Sequence, residues 1–144
     1  MGTNYYLRSR KPVRTIITHE GDEHGRVVGV RREYAQCHLC KLSYGWRPLM
    51  ACDTEATIPG ARFTSLKEMM RFIRDHAGEY MVHDEYATGG DDESGYEYEE
   101  ISPNEFERRV RDWGRGFPRE PKSHGSMGAT VDGEGFEFMY GDFA

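Results

Sequence analysis

Cys37-His38-Leu39-Cys40 has the spacing of a metal-binding turn. Two cysteines separated by two residues at a tight turn between strands can aim both sulfurs, as thiolates, at one tetrahedral Zn²⁺. Zinc needs further ligands, and Cys52, His19, His24 and His124 are the available donors. A redox use of the same spacing belongs before a helix of a βαβ unit, whereas these cysteines fall among strands. The plainer alternative is a pair of reduced thiols, one of them partly buried.

The block that follows, Lys41-Leu42-Ser43-Tyr44-Gly45-Trp46, offers a second chemistry. In an extended strand Lys41 and Ser43 share a face and His38 falls on the other. An ammonium and a hydroxyl beside Gly45 can bind a phosphate or carboxylate, with Trp46 as a stacking wall. The alternation of Leu42, Tyr44 and Trp46 also describes a strand that buries those three and turns Lys41 and Ser43 to solvent. No phosphate-loop spacing is present.

Charge is unevenly distributed along the chain. Residues 1–50 hold nine Lys and Arg against four Asp and Glu, while 75–107 hold twelve acidic residues and not one Lys or Arg. Asp91, Asp92, Glu93, Glu97, Glu99 and Glu100 are the densest part and form a candidate contact surface for a basic partner, with Tyr86, Tyr96 and Tyr98 adding contact area. Arg8, Arg10, Lys11, Arg14, Arg26, Arg31 and Arg32, interleaved with Tyr5, Tyr6 and Tyr34, can follow a nucleic-acid backbone. The acidic half opposes that use, and pairing of the basic segment with the acidic one is the simpler expectation.

These groups must be held by a fold of about one domain, since 144 residues is an ordinary domain length. Strands are predicted at 3–7, 13–18, 26–34, 41–51 and 79–86, and an aromatic-pinned strand at 136–140 follows a short one at 129–131. Ser65-Leu66-Lys67-Glu68 reads as a capping box that opens a helix carrying Leu66, Met69, Met70 and Ile73 on one face. Ser102-Pro103-Asn104-Glu105 opens a second helix, with Phe106, Val110 and Trp113 inward and Gly114 at its end. Residues 87–100 and 115–128 read as mobile loops by composition. The expectation is a single α+β domain over 1–144: a mainly antiparallel sheet of five to six strands with two helices on one face.

The opening Met1-Gly2-Thr3-Asn4-Tyr5-Tyr6 and the block His38–Trp46 resemble a group of small uncharacterised bacteriophage and prophage proteins. Those proteins carry His-Ile-Gly-Lys-Ser-Ser-x-Gly-Trp; here Cys40 stands at the Gly and Leu42 at the first Ser. Their early Cys-x-x-Cys is replaced by Ser9-Arg10-Lys11-Pro12, and the ending Gly141-Asp142-Phe143-Ala144 is similar to theirs. The resemblance implies a phage origin and a shared fold without an activity. With no apolar run long enough for a bilayer and no secretory leader, the cytoplasm of a host cell is the expected location. The expected function is a phage accessory protein that binds a host or phage macromolecule through its charged surface. A zinc-stabilised small-ligand or nucleic-acid binder using Cys37, Cys40 and the Lys41–Trp46 strand is the alternative. No catalytic residues stand out, and no cofactor is the first expectation, with zinc as the alternative.

Overall fold

The computed structural model describes residues 2–19, 27–51, 54–89, 96–116 and 129–140. In chain order these form β1 (Gly2–Ser9), β2 (Arg14–His19), β3 (Val27–Glu33), β4 (Gln36–Ser43), β5 (Leu49–Ala51), α1 (Leu66–Asp75), β6 (Tyr80–Asp84), β7 (Ala87–Gly89), β8 (Tyr96–Tyr98), α2 (Pro103–Arg115), β9 (Ala129–Val131) and β10 (Glu137–Met139). A six-stranded sheet runs in the order β6-β1-β4-β5-β10-β9, and β2–β3 and β7–β8 are separate two-stranded pairs. Within the large sheet only β5 and β10 run parallel. This is the α+β architecture with a mostly antiparallel sheet.

Both helices cover one face of that sheet. Tyr5, Leu7, Cys37, Leu39, Cys40 and Leu42 belong to one buried cluster with Leu66, Met69, Met70 and Ile73 of α1 and Phe106 and Val110 of α2. The helices begin where side chains can replace missing backbone partners. Ser65 Oγ accepts from Glu68 N at 3.1 Å and Ser102 Oγ accepts from Glu105 N at 3.1 Å. The Glu68 carboxylate reaches back to Thr64 N at 3.2 Å. Asp132, from the turn between β9 and β10, adds a cap that local sequence cannot reveal: its Oδ2 accepts from Leu66 N at 2.9 Å. Its Oδ1 meanwhile accepts from the amides of Glu134 and Phe136, each at 2.9 Å. Helix α2 runs one residue past Gly114 and is capped by Gly116.

A β-bulge in β4 rearranges the chemistry expected there. Tyr5 pairs with Cys40 but Tyr6 pairs with His38, so Leu39 is the extra residue. Leu39 and Cys40 are consecutive and both fully buried, and beyond the bulge the in-out alternation changes parity. Directly opposed residues share a face, so His38 (opposite Tyr6) and Lys41 (opposite Asn4) lie on the same side. The expectation that these two fall on opposite faces is therefore corrected.

Three further expectations change. Cys37-His38-Leu39-Cys40 lies within β4, not at a turn. The predicted strand 41–51 is two strands joined by a turn at Tyr44–Gly45, and Tyr44 is 83% exposed instead of facing the core. The chain reverses there because Trp46 N donates to Ser43 O at 3.0 Å and Gly45 takes φ +83°, a left-handed conformation that costs a side chain about 1–2 kcal/mol. Of the span 87–100 expected as a loop, Ala87–Gly89 and Tyr96–Tyr98 pair as strands; residues 90–95 lie outside the described residues, as do 117–128 of the second expected loop. Gly2 sits so close to β4 that a Cβ would fall 2.0 Å from Leu42 O, so only glycine fits that place in the opening hexapeptide.

Candidate functional site: a cleft between the sheet and helix α2

Where the end of β4 and the start of β1 meet α2, packing leaves a cleft of about 660 Å³. Thr3 and Tyr5 come from β1, Leu42 from β4, and Tyr44 and Gly45 from the turn. Helix α2 contributes Arg108, Arg109, Asp112 and Trp113 before Gly116 closes the lining. The helix places them there by its period: 109, 112, 113 and 116 are three and four residues apart and fall on one side. The same register sends Phe106 and Val110 into the core, where the Tyr5 and Phe106 rings meet edge-on at 5.4 Å. Trp113 Nε1 donates to Trp46 O at 3.0 Å and ties the last turn of α2 to the segment between β4 and β5.

The polar groups of the cleft are arranged by two carboxylates of the same helix. Glu105 accepts from Arg108 at 2.6 and 2.8 Å and from Arg109 at 2.9 Å. These guanidinium groups, Arg108 foremost, hold its carboxyl well below the ordinary range, at about 2. Asp112 accepts from Arg108 at 3.0 Å and pairs with Arg115. Arg109 also lies close to the Tyr5 hydroxyl and 3.9 Å from Asp84. Burial pushes the Tyr5 phenol upward, the nearby Arg109 partly offsets this, and the group stays protonated.

Arg109 faces a second recess of about 500 Å³, lined by Asp84, Tyr86, Glu99, Glu100, Ile101, Ser102 and Glu105. Glu99 and Glu100 are exposed there, and Glu100 pairs with Arg10. That ion pair joins the basic segment to the acidic one within one molecule, as the charge pattern suggests. Arg14 and Arg31 both pair with Glu33, and Arg8 lies over the Tyr34 ring at 3.9 Å and the Tyr98 ring at 5.0 Å. Four of the seven expected backbone-following cations are thus engaged inside the chain; Arg26 lies outside the described residues. Asp91, Asp92 and Glu93 also lie outside them, and the side chain of Glu97 does too.

The other expected residues do not converge on the cleft. Lys41 and Ser43 flank Leu42 and project to the opposite face of the sheet, while Trp46 contributes its backbone carbonyl through the Trp113 bond. Cys37 and Cys40 face the core. Burial raises the Cys37 thiol to about 11 and the Cys40 thiol further, so both are held as neutral thiols. Among the described residues no group of three or more His, Cys, Asp and Glu side chains is disposed around a metal position. Arg108, Arg109 and Asp112 escaped sequence reasoning, and Tyr5 was singled out only beside the basic segment. The available signal was the run Arg108-Arg109 followed by Asp112-Trp113 at helical spacing, which also describes an ordinary solvated helix face.

On the face opposite α1 and α2 a different set of rings collects. Tyr6 stacks between His38, at 4.9 Å, and His83, at 5.4 Å, and Tyr98 covers His83 at 4.1 Å. His83 is 1% exposed, its Nδ1–H donates to Asp84 O at 2.6 Å, and burial lowers its affinity for a second proton.

Comparison with known proteins finds no matching family, no matching curated protein and no matching solved structure. Among the described residues no helix is long and apolar enough to cross a membrane.

Proposed function

We propose that the chain is a small-ligand-binding module whose site is the cleft between β1, β4 and α2. The observation that carries this reading is its volume of about 660 Å³ with mainly aromatic and aliphatic walls and a few convergent polar groups. That combination is typical of small-molecule sites, which usually measure about 300–1,000 Å³. This keeps the small-ligand part of the sequence-based alternative but moves the site from Lys41, Ser43 and Trp46 to Tyr5, Leu42, Tyr44 and Trp113. A fragment titration followed by amide NMR tests it. Binders should shift Thr3, Leu42, Gly45 and the Trp113 indole N–H together; shifts scattered over the surface would sink the reading.

A second reading rests on the exposed carboxylates of Glu99 and Glu100 beside the acidic run 91–97. On it, the chain is a phage accessory protein that meets a basic surface of a host or phage macromolecule, an origin supported by the resemblance of the opening hexapeptide. Neutralising Asp91, Asp92, Glu93, Glu97, Glu99 and Glu100 together should abolish such a complex; unchanged capture of the partner would leave the tract a solubilising one. Zinc at Cys37 and Cys40 belongs to the same set of proposals. One zinc per purified chain, lost in a Cys37→Ser/Cys40→Ser double variant, is its signature.

A further inference from the structure

We infer that the cleft takes an aryl carboxylate, a flat ring system bearing one anionic acceptor group; this rests on the reading of the cleft as a ligand site. The walls supply the first half of the argument. Tyr44 stands 83% exposed at the mouth on a turn that only a left-handed Gly45 permits, and the half-buried Trp113 lines the same space. A large aromatic held in water beside a second one is a surface waiting for a ring, since ring contacts are favourable beyond the area they bury.

The polar groups supply the second half, because those still available are donors. Tyr5 lines the cleft with Arg109 close to its hydroxyl, and its phenol stays protonated, so it can donate to a ligand. An acceptor on the ligand is the natural partner of that hydroxyl. Arg108 is the other donor. Its side chain is 61% exposed, and its partners, Glu105 and Asp112, lie on its own helix three and four residues away. Exposed pairs of that kind contribute little, so a ligand carboxylate can draw the guanidinium over at small cost. Arg109 is less free to turn, being held by Tyr5 and Glu105 with Asp84 nearby. The carboxylate oxygens in the cleft lining, those of Asp112, are already committed to Arg108 and Arg115. A head group rich in acceptors and free of donors suits this inventory, and a carboxylate is that group.

The test compares 2-naphthaleneacetate with the neutral 2-naphthaleneethanol by amide NMR titration of the full chain. Both should shift Leu42, Gly45 and the Trp113 indole N–H, and the carboxylate should bind about tenfold tighter, the size of one charge-assisted hydrogen bond. Arg108→Met should remove most of that difference by weakening the carboxylate far more than the alcohol, and Tyr5→Phe should also weaken the carboxylate more than the alcohol. Equal affinities in the unaltered chain would overturn the carboxylate and leave the ligand cleft standing. No shift at the cleft with either probe would overturn both.

Discussion

On its helix-covered face the six-stranded sheet presents Leu7, Leu39, Cys40 and Leu42 to Met69, Phe106 and Val110, an apolar contact whose buried thiols keep their protons. On the other face Tyr6, His38, His83 and Tyr98 stack on one another, with Arg8 over two tyrosines and, among the described residues, no helix above them. The first face owes its cohesion to area removed from water, a term indifferent to pH. The second relies on ring stacking around a buried imidazole, which a proton can disturb. One sheet therefore carries a face that fixes the fold and a face that responds to its solution.

Removing the centre of each face separates the two. Phe106→Ala should cost about 3–5 kcal/mol in urea denaturation, the range for truncating a fully buried ring. A loss below about 1 kcal/mol would mean that α2 is not a main cover of the sheet. Tyr98→Ala should cost less, about 1–2 kcal/mol, since it loses the His83 ring contact and the contact with Arg8 at a half-exposed site. If the two variants lose equal stability, the contrast between the faces fails.

Acid should then weaken only the ring face. His83 binds its second proton less readily folded than unfolded, so its contribution is intact above the unfolded value near 6.5 and is lost as pH falls below it. The groups that face it are Tyr6, Arg8, Asp84 and Tyr98; burial and, to a lesser degree, Arg8 oppose the proton, while Asp84 favours it. Stability measured between pH 7 and 5 should fall, and His83→Phe should flatten that slope; an identical slope in the variant would place the effect elsewhere. The smallest effect belongs to Glu105. Its carboxylate, followed by ¹³C NMR, should titrate at about 2 and move up towards 4.5 in Arg108→Met. Its contribution is present above 4.5 and lost as pH falls towards 2, and at so exposed a group the change in unfolding should be barely measurable.

Much of this architecture was legible because it is local. Ser65 and Ser102 cap the helices they were expected to cap, and the apolar spacing of Leu66, Met69, Met70 and Ile73 marks the side of α1 that is buried. What escaped depends on partners distant in sequence. The bulge at Leu39 exists only against Tyr5 and Tyr6, and it alone decides that His38 sides with Lys41. The turn at Gly45 broke a run whose alternation of Leu42, Tyr44 and Trp46 imitates a continuous strand. The cleft was invisible for the same reason. Its walls come from residues 3–5, 42–45 and 108–116, and only pairing of β1 with β4 and packing of α2 on them bring those three stretches together.

Asp132 sets an order of events. Its carboxylate closes the turn between β9 and β10 and also caps α1, whose first residue precedes it by 66 positions. The parallel strand β10, paired with β5, is similarly distant from its partner. Contacts of such long range form slowly, because a large loop must close before either end gains anything. While the chain is being synthesised, β1, β4 and both helices can therefore assemble first, with α1 incompletely capped and β5 an open edge. Residues 129–140 supply both the long-range cap of α1 and the strand that pairs with β5, so one short hairpin ties together two parts of the chain that are distant in sequence.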